Sequence, residues 1–268
     1  MKKLKKYTEK PVIGPIIKRV IDFGINREVK TVARHFSKYL HPLVAETPEL
    51  SKESFKIRHD VYCEELGFLN TSDNGFERDE FDNYSTHCLI QHIPSLQFAG
   101  TVRVVRPETA KHSLPLQTYC ADSIAKDKIN PADFAPYEIC EISRLAVPKG
   151  FRKRHTDKFE GAATAVINKE IYSENELRCF PFIAVGLYLS AASIVLENNI
   201  KHTFVMMEPR LARSMGFIGI KFEKIGPTVD YHGKRAPYYI NPSLLMESLT
   251  PGFQVMLKEI RKSLKHKE

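Results

Sequence analysis

Glu138-Ile139-Cys140-Glu141-Ile142-Ser143-Arg144-Leu145-Ala146-Val147 runs directly into Pro148-Lys149-Gly150-Phe151-Arg152-Lys153-Arg154. The apolar residues Ile139, Cys140, Ile142, Leu145, Ala146 and Val147, closed by Pro-Lys-Gly, predict a buried, central strand ending in a turn. Glu141, Ser143 and Arg144 interrupt that apolar run. Unpaired charge in such surroundings costs several kcal/mol. These residues therefore mark either a functional site or a structural Glu–Arg pair that fixes strand register.

Outward from this strand, the upstream chain predicts a hairpin. Its arms are Thr86 to His92 and Phe98 to Val105, joined at Pro94-Ser95, with Arg103 inside the second arm. An acidic run, Glu77-Arg78-Asp79-Glu80-Phe81-Asp82-Asn83, follows a loop rich in Asn, Ser, Asp and Gly. A helix precedes it, starting at Ser51-Lys52-Glu53-Ser54 and carrying Arg58 and Tyr62 until Gly67. Residues 108–136 are turn-rich and predict an irregular excursion at a substrate entrance. Downstream, residues 159–175 and 183–199 predict helices, 202–207 a strand, and 209–216 a short helix stopped by glycine. Residues 217–225 and 236–240 predict the last strands. The order is that of a mixed α/β (α+β) domain around one sheet, spanning 46–250.

The chain has 268 residues, 43% of them hydrophobic, enough for one sizeable core. Its net charge of +8 sits at the ends: residues 1–45 carry +8, residues 258–268 carry +3, and the middle is about −3. From Pro11 to Leu43 apolar residues recur at roughly helical spacing among lysines and arginines. Residues 1–45 thus read as a basic amphipathic extension, and 251–268 as a basic helix or tail. Such ends either pack on the domain or meet anionic membrane or an acidic partner. No nucleic-acid reading motif accompanies them. The five cysteines, Cys63, Cys88, Cys120, Cys140 and Cys179, lack C-x-x-C spacing, which points to a reduced, cytoplasmic chain without zinc. Phe182 to Leu196 is apolar but too short to span a bilayer, and predicts a buried helix. His87 and His92 read as surface or strand-end histidines rather than metal ligands.

Arg58-x-x-Val61-Tyr62-x-x-x-Leu66-Gly67-Phe68, then Glu77-x-Asp79-x-x-Asp82, Arg103, and Glu141-x-Ser143-Arg144 together resemble the acyl-homoserine-lactone (autoinducer) synthases. In layout the chain is more similar to their relatives, the N-acyl amino acid synthases and the PEP-CTERM/exosortase system-associated acyltransferases. All belong to the GNAT superfamily. The resemblance spans about Phe55 to Ile240 and implies a GNAT-like fold and N-acyl transfer to a small amine. It makes Glu77, Asp79 and Asp82 acceptor-binding or site-ordering residues. There are two departures. Phe68 stands where the lactone synthases usually carry Trp, which argues against S-adenosylmethionine as acceptor. A glycine-rich loop for the coenzyme A pyrophosphate is missing.

An amine attacking a thioester needs a base for the ammonium proton, donors for the oxyanion and anions to position the amine. Glu141 is the candidate base, since burial raises a carboxyl pKa toward neutrality; its alternative is a structural bond to Arg103 or Arg144. Ser143 and Arg144 join it as candidate catalytic residues. Arg58, Arg103 and Arg144 suit bidentate cross-links to the acidic cluster. Phe68 is the candidate acceptor contact.

The segment after the central strand is the superfamily's place for the donor phosphopantetheine. Val147, Lys149, Gly150, Arg152, Lys153 and Arg154 are therefore candidate donor residues, toward acyl-CoA or an acidic acyl carrier protein. The helix at Ile183 to Leu196 either leaves an acyl channel or is plain core. Nucleophilic catalysis by Cys140 or Cys63 lacks a paired histidine in the sequence. Two further readings stand beside the expected N-acyltransferase: a lactone synthase using S-adenosylmethionine, and a non-catalytic acyl- or membrane-binding module.

Overall fold

A computed structural model describes residues 36–152, 179 and 182–265. Leu40–Val44 (β1), Ser85–His92 (β2), Phe98–Val105 (β3) and Ile139–Ala146 (β4) form one half of a sheet. His202–Met207 (β5), Glu223–Lys224 (β6), Val229–Asp230 (β7) and Lys234–Ile240 (β8) form the other. The strand order is β1-β2-β3-β4-β5-β8-β6, with β7 hairpinned onto β8, so β4 lies at the centre as its apolar run predicts. Every pairing is antiparallel except β4 with β5.

Both faces of the central strands are covered, which is why β2 to β4 read as near-continuous apolar runs. Ile183–Glu197 (α3) and Pro251–Lys265 (α6) cover one face, where Cys88, Val102, Cys140 and Ile142 meet Leu187 and Leu257. In α6, Phe253, Met256, Leu257 and Ile260 are buried while Lys258 and Lys262 face solvent, the stripe expected of an amphipathic helix. Pro48–His59 (α1) lies on the other face, where Ile57 and Val61 meet Leu89 and Ala146. The 106–138 excursion is irregular as expected, apart from Pro115–Tyr119 (α2) and single 3-10 turns.

Several expectations are corrected. The helix starts at Pro48, three residues before Ser51-Lys52-Glu53-Ser54, because Thr47 caps it by accepting the Leu50 N–H at 3.3 Å. It continues as a π-turn, Asp60–Glu65. The helical spacing read through Leu43 gives way to β1 at Leu40, since Pro42 disfavours helix and Leu43 and Val44 pair with Leu89 and Cys88. The helix at 209–216 runs on as Pro209–Ile218 (α4), and Gly219, not Gly216, ends it at φ +100. A Cβ on Gly219 would sit 2.2 Å from the Ser248 carbonyl oxygen. The strand expected over 217–225 shrinks to Glu223–Lys224, because its first residues belong to α4 and Phe217 is 82% exposed. His87 and His92 are buried, not surface, residues, and His92 stands at the end of β2, as the strand-end alternative has it. The helix expected at 159–175 and most of the 1–45 extension lie outside the described residues.

Candidate active site

The acidic segment is organised locally before it meets the sheet. Asp79 caps the 3-10 turn Glu80–Tyr84, accepting the Phe81 N–H at 3.1 Å, and Asp82 reaches back to accept the Asp79 N–H at 2.8 Å. This reciprocal cap aims both carboxylates inward. Arg58, fully buried on α1, forks onto Asp82 at 2.7 and 3.1 Å and donates its Nε–H to Glu77. Arg103 on β3 reaches Asp79 at 2.5 Å, Asp82 at 2.9 Å and Ser143 Oγ at 3.1 Å. Arg144 on β4 bonds Glu77 at 3.1 Å and Asp79 at 3.0 Å.

Three guanidinium groups thus meet three carboxylates in a matched cluster. Burial alone would raise the Asp82 pKa, but its bonds to Arg58 and the charges of Arg58 and Arg103 hold it well below the usual range. Glu77 behaves likewise: burial raises it, and Arg58 and Arg144 more than reverse that.

Arg144 reaches the cluster through a distortion. In a regular strand it would point away from Glu141 and Ser143. Arg103 lies opposite Ser143 but Thr101 opposite Ala146, so Arg144 and Leu145 oppose Val102 alone. That is a β-bulge, and Arg144 sits in it at φ +53, a strained conformation for a residue with a side chain. The bulge brings Glu141, Ser143 and Arg144 to one cavity.

This cavity, about 50 Å³, opens where the central strands part. The β4–β5 ladder ends at Glu141 and Phe204, while β5 stays paired with β8 up to Met207 and Ala236. Tyr62, Phe68, Leu69, Pro115, Leu116, Cys120, Met206, Tyr231, His232 and Arg235 complete the described lining.

Glu141 stands apart from the cluster. Its Oε2 accepts the Leu116 N–H at 2.7 Å, and among the described residues no guanidinium bonds it, so the alternative of a structural pair with Arg103 or Arg144 is not what the fold builds. Burial pushes its pKa up to about 7, against the lowering effects of the Leu116 bond, Arg103 and Arg144. Among the described residues it is the one carboxylate lining the cavity.

Other candidates fall as follows. Val147 is half-buried at the end of β4, and Lys149, Gly150 and Arg152 are exposed beyond it. The Lys149 N–H donates to Glu65 at 3.0 Å, and Arg152 pairs with the same carboxylate. Lys153 and Arg154 lie outside the described residues. The Cys140 thiol, 3.3 Å from Thr203 Oγ1, is pushed up to about 12 by burial, and burial raises Cys63 too, so neither is a thiolate near neutrality. Among the described residues no group of His, Cys, Asp and Glu is disposed to hold a metal, and no helix is long and apolar enough to cross a membrane.

Sequence reasoning missed several lining residues. Tyr62, whose hydroxyl donates to the Leu145 carbonyl at 2.7 Å, was findable from its place one turn after Arg58. Tyr231, His232 and Arg235 come from the β7–β8 hairpin, where polar residues are ordinary turn residues and carry no signal.

Residues 57–160 match the family model described as an acetyltransferase (GNAT) domain. No curated protein sequence matches the chain. Among solved structures, the CoA-dependent acyl-homoserine lactone synthase BjaI, with SAM and isopentyl-CoA, superposes with a TM-score of 0.56 at 16% identity, over 85% of this chain and 90% of that one. TofI, in a ternary complex with an inhibitor and MTA, gives 0.55 at 16% identity, over 79% and 98%. FeeM, an N-acyl amino acid synthase from uncultured soil microbes, gives 0.51 at 14% identity, over 78% and 94%. At these identities the likeness is one of fold. The match over residues 57–160 and the superpositions together show that this chain shares the GNAT-like fold of these synthases.

Proposed function

We propose that the protein moves a fatty acyl group from a carrier thioester to the amine of an amino acid or similar small acceptor. The observation that carries this reading is Glu141, a buried carboxylate free of arginine, poised near neutrality and facing the gap between β4 and β5. In its ionised form Glu141 takes a proton from the acceptor ammonium, directly or through water. The freed nitrogen attacks the thioester carbonyl carbon, the C–S bond breaks, the thiolate leaves and takes up a proton, and an amide remains. Ser143 and Arg144 lie beside that centre to orient the reactants. Arg58, Arg103, Glu77, Asp79 and Asp82 order the site from behind, their charges already matched, and Phe68 shapes the acceptor side. An acyl- or membrane-binding module would have no use for such a carboxylate.

The donor is an acyl carrier protein or acyl-CoA thioester, held near Val147, Lys149, Gly150, Arg152, Lys153 and Arg154. The exposed positive charge there favours the acidic carrier. The apolar cleft between β4 and α3, lined by Ile142, Tyr188, Ala192 and Ile220, suits the acyl chain.

The purified protein, given an acyl-carrier thioester and a mixture of amino acids, is expected to yield N-acyl amino acids by mass spectrometry. Glu141→Gln should abolish them. A second tube holding S-adenosylmethionine separates the lactone-synthase reading: methylthioadenosine and acyl-homoserine lactone appearing only there would overturn this assignment.

A further inference from the structure

Two arginines line the cavity, and their situations differ. Arg144 is committed, its Nε and Nη2 bonded to Glu77 and Asp79. Arg235 is half-buried, has no ion pair among the described residues, and its Nε–H, shut off from solvent, has no hydrogen-bond partner. Its guanidinium lies against an aromatic ring, the carbon 6.0 Å from the Phe68 centroid. The His232 ring also lies near Phe68, the two centroids 6.1 Å apart.

A buried donor left unpaired is costly, and the cost is larger for a charged group. Each such group calls for an explanation, and in a cavity a ligand that completes it is one. Alternation along β8 turns Arg235 to the face of Glu141 and Met206, because Tyr239, four residues on, packs with Phe204 on that face. The site therefore presents, across one small cavity, a carboxylate able to take a proton and a cation able to hold an anion.

We infer that Arg235 binds the carboxylate of the acceptor, so that the acceptor class is an amino acid whose amine and carboxylate are both engaged, not a simple amine. This rests on the acyl-transfer reading above and deepens it. The amine end meets Glu141 and the carboxylate end meets Arg235, whose planar fork suits two carboxylate oxygens. The Phe68 ring against the guanidinium limits its freedom, which keeps the fork aimed before the acceptor arrives. Arg235 is thus a specificity-determining residue.

The test is binding, which needs no turnover. N-dodecanoylglycine and N-dodecanoylglycinamide differ only in the negative charge, and glycine fits a narrow cavity. Calorimetric titration of the full chain is expected to show the acid binding at least tenfold more tightly than the amide. Arg235→Gln should bring the acid down to the amide's affinity and leave the amide unchanged, and Arg235→Lys should keep part of the preference. Circular dichroism confirms that each variant is folded.

Equal affinity of the wild type for both probes, a preference that survives in Arg235→Gln, or binding of neither probe would each overturn the assignment. Preference for the acid without amide formation from any amino acid would instead overturn the acyl-transfer reading and leave the anion site standing.

Discussion

Glu141 and Asp82 are both buried carboxylates on one side of one sheet, yet their pKa values move in opposite directions. Asp82 takes hydrogen bonds and charge from Arg58 and Arg103, whereas Glu141 has one backbone N–H and a dry setting. The expected consequence is a rate of acyl transfer that rises with pH through an inflection near 7, as the base loses its proton, in a pH–rate profile. The stability effect has the opposite sense. A native pKa raised above the unfolded value means that the stabilising contribution is complete below about 4.5 and is lost as pH climbs through about 7. Glu141→Gln removes the titration, so urea unfolding at pH 8 should find it more stable than the wild type by roughly 3 kcal/mol, with the gap closing toward pH 4. A pH dependence of the unfolding free energy between pH 4 and 8 that is unchanged in Glu141→Gln would assign the titration elsewhere. Glu141 was legible in the sequence because charge inside an apolar run is rare. Arg235 was not, because the turn Tyr231-His232-Gly233-Lys234 just before it makes charge unremarkable.

At the level of elements, the arginine–carboxylate cluster ties α1, the 77–84 segment, β3 and β4 into one unit. Its members are matched three against three, so removing one carboxylate charge leaves the buried cluster with one positive charge in excess. Asp82→Asn should cost about 3–5 kcal/mol in denaturant titrations. High salt should not erase the loss, since buried pairs are poorly screened; a loss under 1 kcal/mol would mean that the cluster relaxes around the gap. The hairpin, the central strand, α3 and β5 were legible because their apolar runs match their covered faces. The bulge was not, since nothing in Ser143-Arg144-Leu145 announces a positive φ and no glycine marks it. The last two residues of α4 were hidden by Gly216, which looks like a stop but is carried inside the helix. β1 was hidden because apolar residues beside Pro42 also fit the helical spacing that precedes them.

For the whole molecule, charge placement decides how a partner approaches. Lys149 and Arg152 stand exposed beyond the end of β4. Lys149→Glu is expected to weaken binding of acyl carrier protein several-fold at low ionic strength, and less in high salt, while acyl-CoA turnover changes little. Equal, salt-independent loss with both donors would move the carrier's docking surface elsewhere.

The two ends of the sheet carry a different consequence. Along β1 the Ala45 N–H and the Tyr39 carbonyl face inward to β2, so Pro42, of the opposite parity, turns its backbone outward. It has no N–H to offer, and its carbonyl already accepts from Ser263 at 3.0 Å, while the Val44 carbonyl is taken by the Glu46 N–H at 2.9 Å. At the far end β6 is only Glu223 and Lys224, both exposed and charged. Among the described residues neither border offers the row of open amides that lets one chain template another. A largely apolar sheet is thus held without margins from which fibrils could grow.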